Sequence, residues 1–183
     1  MSVMAPKNLW ELRAMLEFAM DYNRPLAIRY PRGEAYRGLR EFREPIVYGK
    51  GEILYEEEDI ALLAVGSMVS TGEHIREKLK AEGFACTLAN GRFVKPFDRE
   101  LVDRLALRHR VIVTLEENVA RGGFGQPVTA YIHEHYPHRK VLNIALPDAY
   151  VEHGNVSVLR EGLGIDSDSI IREMRNMGLL GRG

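Results

Sequence analysis

Residues 25–33 read PLAIRYPRG, an apolar stretch that ends in two arginines and a Pro-Gly stop. Side chains alternate along a strand, so Leu26, Ile28 and Tyr30 share one side while Ala27 and Arg29 share the other. Pro31 ends the strand and holds Tyr30 extended. Arg32 then emerges at the strand's carboxyl end, next to a glycine that leaves room for a ligand. A guanidinium binds phosphate or carboxylate through two parallel N–H bonds. The spacing therefore allows an anion grip by Arg32 or by Arg29, and equally a surface salt bridge to one of the nearby glutamates.

Other stretches invite chemistry less strongly. LEENVARGGFGQP places Glu116 and Glu117 at the end of an apolar run, ahead of Gly122, Gly123 and Gly125. Such glycines could offer backbone N–H groups to an anion at a helix N-terminus, or permit a tight turn where strand and helix approach closely. With no lysine nearby the turn reading is favoured. Adjacent residues of a strand point to opposite faces, so the two glutamates cannot share one substrate. VGSMVSTGEH lacks the three-glycine spacing of a dinucleotide fingerprint. His133, His135 and His138 lack the i, i+4 spacing of a zinc-protease helix and read as solvated helix-end histidines. His153 follows the last apolar run with no visible nucleophile to serve.

The elements that must position these residues follow a regular alternation. Asn8 and Glu11 have capping-box spacing, and Leu9, Leu12, Leu16 and Ala19 mark one helical face, predicted to be buried. LAIRY follows as a strand, and GEAYRGLREFREP reads as a linker. A helix and a strand in about 33 residues cannot enclose a core, so residues 1–33 read as the tail of a larger domain. From residue 46, IVYGKGEILYE, IALLAV, FACTLANGRF, RVIVTLEE and KVLNIALP read as strands. The helices between them include one with Ser70 and Glu73 as a capping box, one capped by Asp98, and one with Pro127 in its first turn. Short helices follow near 155–161 and 167–177. Uniformly apolar strands alternating with helices predict a mostly parallel sheet in a three-layer α/β/α fold, with function gathered at the strands' carboxyl ends.

A formal net charge of −1 gives no reason to expect nucleic acid or an anionic membrane as partner. The single cysteine, Cys86, excludes an internal disulfide framework and reads as a buried core thiol. No signal peptide and no long apolar run occur, so a cytoplasmic location is expected.

VMAPKNLWELR, LAIRYPRGEA, VGSM, GRFVKPFDRELV, VTLEENVARGGFG and LPDAYVEHG occur in an order and spacing that resemble the 1-deoxy-D-xylulose-5-phosphate synthase family, over essentially the whole chain. Gly91 departs from the alanine usual there. The resemblance implies a C-terminal portion of such an enzyme. Residues 1–33 would be the remnant of the pyrimidine-binding domain, 34–45 a linker, and 46–183 a transketolase C-terminal-like domain, its five-stranded sheet carrying one antiparallel edge strand. The complete enzyme uses thiamine diphosphate and Mg²⁺ to condense pyruvate with D-glyceraldehyde 3-phosphate, as a homodimer. No catalytic, cofactor or metal residue is expected in this chain, which would be inactive without its missing domains. Arg32, then Arg29, matches the family position for gripping the substrate phosphate. Two alternatives stay open: a non-catalytic dimerisation or interaction domain, and the C-terminal domain of another transketolase-family protein such as a 2-oxoacid dehydrogenase β-subunit.

Overall fold

A strand buried on both faces needs a helical layer against each. The computed structural model describes residues 1–181; residues 182 and 183, the last two of the expected C-terminal domain, lie outside it. Its main sheet has the order β3-β5-β4-β7-β8, built from Glu52–Tyr55, Cys86–Asn90, Ile60–Ala64, Val111–Val119 and Lys140–Leu146. Strand β3 pairs antiparallel at one edge and the other pairings are parallel, as expected. Leu62, Ala64, Val113 and Leu115 face a layer that includes α2 (Met68–Ala81) and α6 (Ser167–Asn176). Ala61, Leu63 and Ile112 face α3 (Arg99–Arg108) and α4 (Gly125–His135) on the other side. Asp98 caps α3 through Leu101 N–H, and Asp166 caps α6. The Ser70–Glu73 capping box does not form: α2 begins at Met68, Ser70 Oγ donates to Ser67 O, and Glu73 accepts from Tyr36 OH.

A second sheet, β2-β1-β6, joins β1 (Ser2–Met4) in parallel to β2 (Leu26–Ile28) and antiparallel to β6 (Phe93–Lys95). Helix α1 (Leu9–Asp21) covers it through Met15, which packs with Met4 and Phe93. FACTLANGRF is thus not one strand. It breaks at Gly91-Arg92, where Arg92 takes a left-handed φ of 54°, a conformation that costs an ordinary residue about 1–2 kcal/mol. A Cβ on Gly91 would lie 2.8 Å from Val65 Cγ1 and 2.9 Å from Phe124 Cζ, so the phenyl ring fills the space an alanine would need.

The break serves a buried network of charges. Lys7 Nζ bonds Glu11 at 3.0 Å and Glu52 at 2.7 Å, and Arg92 bonds the same two carboxylates at 2.8 and 3.1 Å. Asn90 Nδ2 donates to both Glu11 oxygens, and Arg92 also donates to the carbonyls of Glu44 and Pro45. All five side chains are buried. Two cations meet two anions, so the cluster is neutral. It also turns α1 the unexpected way. Glu11 and Met15 face inward, while Leu16 of the expected stripe is 51% and its neighbour Met20 84% exposed, and Leu9, Leu12 and Ala19 are only partly buried, so the expected stripe is not the inward face. Asn8 caps Glu11 N–H as expected, but Glu11 reaches back to the Lys7 N–H.

Removing one charge leaves the others buried and unbalanced, so Glu11→Gln is expected to cost about 3–5 kcal/mol at neutral pH. Burial alone would raise the Glu11 pKa, but the Lys7 and Arg92 charges and the Lys7 hydrogen bonds outweigh it and hold it below 4.5. A lowered folded pKa gives stability that is complete above the unfolded value and lost as pH falls through the folded one. Urea unfolding should therefore show a wild-type midpoint that falls in acid, with a shallower fall in Glu11→Gln. Equal midpoints at pH 7 would contradict the network's role.

Candidate functional site

The carboxyl ends of both sheets converge on one region. Arg29 follows β2 directly, its N–H donating to Met4 O at 2.8 Å. Arg29 is half-buried, and its positive charge acts on both Glu116 and Glu117, opposing the upward push of burial on each carboxyl. Arg32 is exposed. Among the described residues neither arginine forms an ion pair or a side-chain hydrogen bond, so the salt-bridge alternative is not realised.

Strand periodicity separates the two glutamates, as expected. Glu116 turns toward α4 and is 1% exposed. Its two oxygens accept the N–H groups of Phe124 and Gly125, each at 2.8 Å. The glycine-rich turn therefore does hold an anion at a helix N-terminus, and the anion is the protein's own carboxylate. Burial raises the Glu116 pKa more than these bonds and Arg29 lower it. Glu117 turns to the opposite face, where Ser67 Oγ donates to it at the start of α2. Arg160, on α5 (Val156–Gly162), grips it through Nε at 3.1 Å and Nη2 at 2.7 Å. Burial would raise the Glu117 pKa, but the Arg160 and Ser67 hydrogen bonds and the Arg160 and Arg29 charges outweigh it and hold it low.

Arg160 was not visible as a site residue in the sequence. It stands in a short, exposed helix 43 residues after Glu117, and no local motif connects them. His153 lies exposed in the loop ahead of that helix. His135 bonds Tyr131 O and stacks on the Tyr131 ring, and no metal-binding group of three His, Cys, Asp or Glu occurs among the described residues. Cys86 is buried, which pushes its thiol up to about 12, so it is an inert core residue.

Residues 49–170 match the family described as Transketolase, C-terminal domain. The chain belongs to that family. Among the proteins with which this transketolase C-terminal domain aligns, a 1-deoxy-D-xylulose-5-phosphate synthase from Lachnoclostridium phytofermentans is 48% identical over 172 residues, 93% of the chain and 28% of the relative. The Aquifex aeolicus protein of the same name is 39% identical over 176 residues, again covering 28% of its length. The chain thus spans little more than a quarter of the curated relatives it matches. A solved structure described as "Split gene transketolase, inactive beta4 tetramer" superposes with a TM-score of 0.87 at 26% identity, covering 99% of this chain and 58% of that one. The Campylobacter jejuni transketolase, at 18% identity, shares the fold with a TM-score of 0.64 over 96% of the chain and 26% of its own.

Gly123 sits against the Glu116 carboxylate. A Cβ there would lie 2.5 and 2.6 Å from its oxygens and would press on the Val119 carbonyl. Gly123→Ala is expected to destabilise the fold by about 1–3 kcal/mol. Chemical denaturation should show the loss, and amide spectra should place the largest shifts at Phe124 and Gly125. A variant as stable as wild type would show that the turn tolerates displacement of Glu116.

Proposed function

We propose that this chain is the C-terminal part of a 1-deoxy-D-xylulose-5-phosphate synthase. That enzyme is the thiamine-diphosphate- and Mg²⁺-dependent transferase that condenses pyruvate with D-glyceraldehyde 3-phosphate, releasing CO2, in isoprenoid, thiamine and pyridoxal synthesis. The relatives of that name, at 48% and 39% identity along most of the chain, support the reading. In it, residues 1–33 end the pyrimidine-binding domain, 34–45 form the linker, and 46–183 are the transketolase C-terminal-like domain. The outward apolar residues Leu16 and Met20 on α1 support this division, because an element of a larger domain keeps a second apolar face for its remaining neighbours.

The residues of this chain do not fit thiamine diphosphate or its metal. The N–H groups of the glycine-rich turn are taken by Glu116, and no metal-ligand cluster stands among the described residues. In the proposal both belong to the rest of the enzyme, and the chain alone is inactive. The similar fold of an inactive tetramer of a split-gene transketolase supports that, and supports self-association of the chain. The full enzyme is a cytoplasmic homodimer in this reading.

Arg32 and Arg29 carry the substrate role. They are unpaired guanidiniums in the loop after β2, which ends at Ile28 rather than running through Tyr30: Arg29 directly follows the strand and Arg32 stands beside the open backbone of Gly33, free for phosphate capture. Arg32 grips the phosphate of the aldehyde and Arg29 supports it. Titration of the chain with D-glyceraldehyde 3-phosphate, followed by ¹⁵N spectra, is expected to shift the arginine Nε signals, while unphosphorylated glyceraldehyde leaves them in place. Arg32→Ala should remove about 1.5–3 kcal/mol of that binding. Equal responses to both aldehydes would sink the phosphate grip. Product formed by the chain alone from pyruvate and the aldehyde, with thiamine diphosphate and Mg²⁺, would refute its inactivity.

A further inference from the structure

Arg160 holds Glu117 with the two-pronged fork that guanidinium also offers to phosphate. Neither partner is locked away: the Arg160 side chain is 25% and that of Glu117 28% exposed. Helix α5 buries none of its residues. Residues 147–155, which lead into it, are largely exposed, and Asn155 spends its side chain on capping its own helix. Among the described residues, the Arg160–Glu117 pair is the only side-chain hydrogen bond from residues 147–160 to the sheet, and a backbone bond from Ile165 N–H to Arg160 O anchors the end of α5. Arg160 is therefore a cation on a lightly attached element, paired with an anion at the edge of the region that holds Arg29.

Glu117 would not be stranded if Arg160 left. Ser67 Oγ still donates to it, and Arg29 still lies close by. A carboxylate with three cationic or hydroxyl neighbours can give one up at modest cost, whereas a carboxylate with one partner cannot.

We infer that Arg160 is a third, specificity-determining guanidinium of this site, and that Glu117 is the resident anion from which an incoming phosphate monoester takes it. This rests on the reading of Arg32 and Arg29 as a phosphate grip. Glu117 sets the threshold: a dianionic phosphate, which offers more charge and more acceptor oxygens than a carboxylate, wins Arg160, and a monocarboxylate does not. Glu117 acts through Arg160 and is a positioning residue.

The test is an NMR titration of the whole chain with inorganic phosphate, and in parallel with acetate, at fixed ionic strength, observing arginine Nε signals. In the wild type phosphate should move the Arg160 signal and acetate should not. Arg160→Gln is expected to weaken phosphate binding about tenfold, and Arg160→Lys, which keeps the charge without the fork, by less. Glu117→Gln removes the competitor and should tighten binding several-fold. A purely structural latch predicts the opposite sign, because loosening α5 would then weaken binding in both variants. Weaker binding in Glu117→Gln with a native amide spectrum would overturn the inference, as would an Arg160 signal that phosphate does not move. If Arg32→Ala abolishes binding while Arg160→Gln leaves it intact, the phosphate grip stands and this inference falls. If Arg32→Ala has no effect while the Arg160 and Glu117 variants behave as expected, the grip falls and with it Arg160's place in that site, although Arg160 would still bind phosphate.

Discussion

Four charges buried together must find each other, and much of this molecule is arranged so that Lys7, Glu11, Glu52 and Arg92 can. Arg92 accepts a left-handed backbone to deliver its guanidinium, and that turn ends β5 and redirects the chain into β6. Glu11 pulls its own face of α1 inward and leaves apolar side chains on the opposite face in water. The carbonyls of Glu44 and Pro45 complete the Arg92 donors, so the connecting segment is drawn onto the same cluster. An apolar plug could fill the same volume at similar stability. It would not dictate the angle at which each element enters.

The same economy of placement governs the candidate site. Two consecutive glutamates leave β7 on opposite faces and meet opposite fates. One becomes a permanent counter-charge for a helix N-terminus, sealed from solvent and bonded only to backbone. The other is held by side chains, which can move. Burial and partner type, not residue identity, separate a structural carboxylate from an exchangeable one.

Much of this was legible in the sequence because it depends on short-range pattern. The mostly parallel sheet and its helical layers follow from apolar runs alternating with capped helices, the antiparallel edge strand comes from the family resemblance, and Asp98 caps where local spacing puts it. Two misreadings share one cause. FACTLANGRF looked continuous, and the Leu9-Leu12-Leu16-Ala19 stripe looked like a core face, because the charge network that overrides both is assembled from residues as far apart as Lys7 and Arg92. At the site, Arg29, Ser67, Glu116 and Glu117 could be found by asking what stands at strand ends. Arg160 could not, since only the folded chain brings α5 to β7.

The antiparallel pairing of β1 with β6 has a consequence in time. Val3 is matched to Lys95, so the first strand of this chain has one neighbour on its own side of the sequence and another more than ninety residues later. During synthesis, β1 and β2 leave the ribosome before β6 and can pair, but the edge of β1 that β6 takes stays open until β6 follows. Met4 and Met15 must wait for Phe93 to close their small core. A nascent chain halted before residue 92 would carry an unfinished sheet edge and a Lys7–Glu11 pair still lacking Arg92 beside it, a natural point for chaperone engagement.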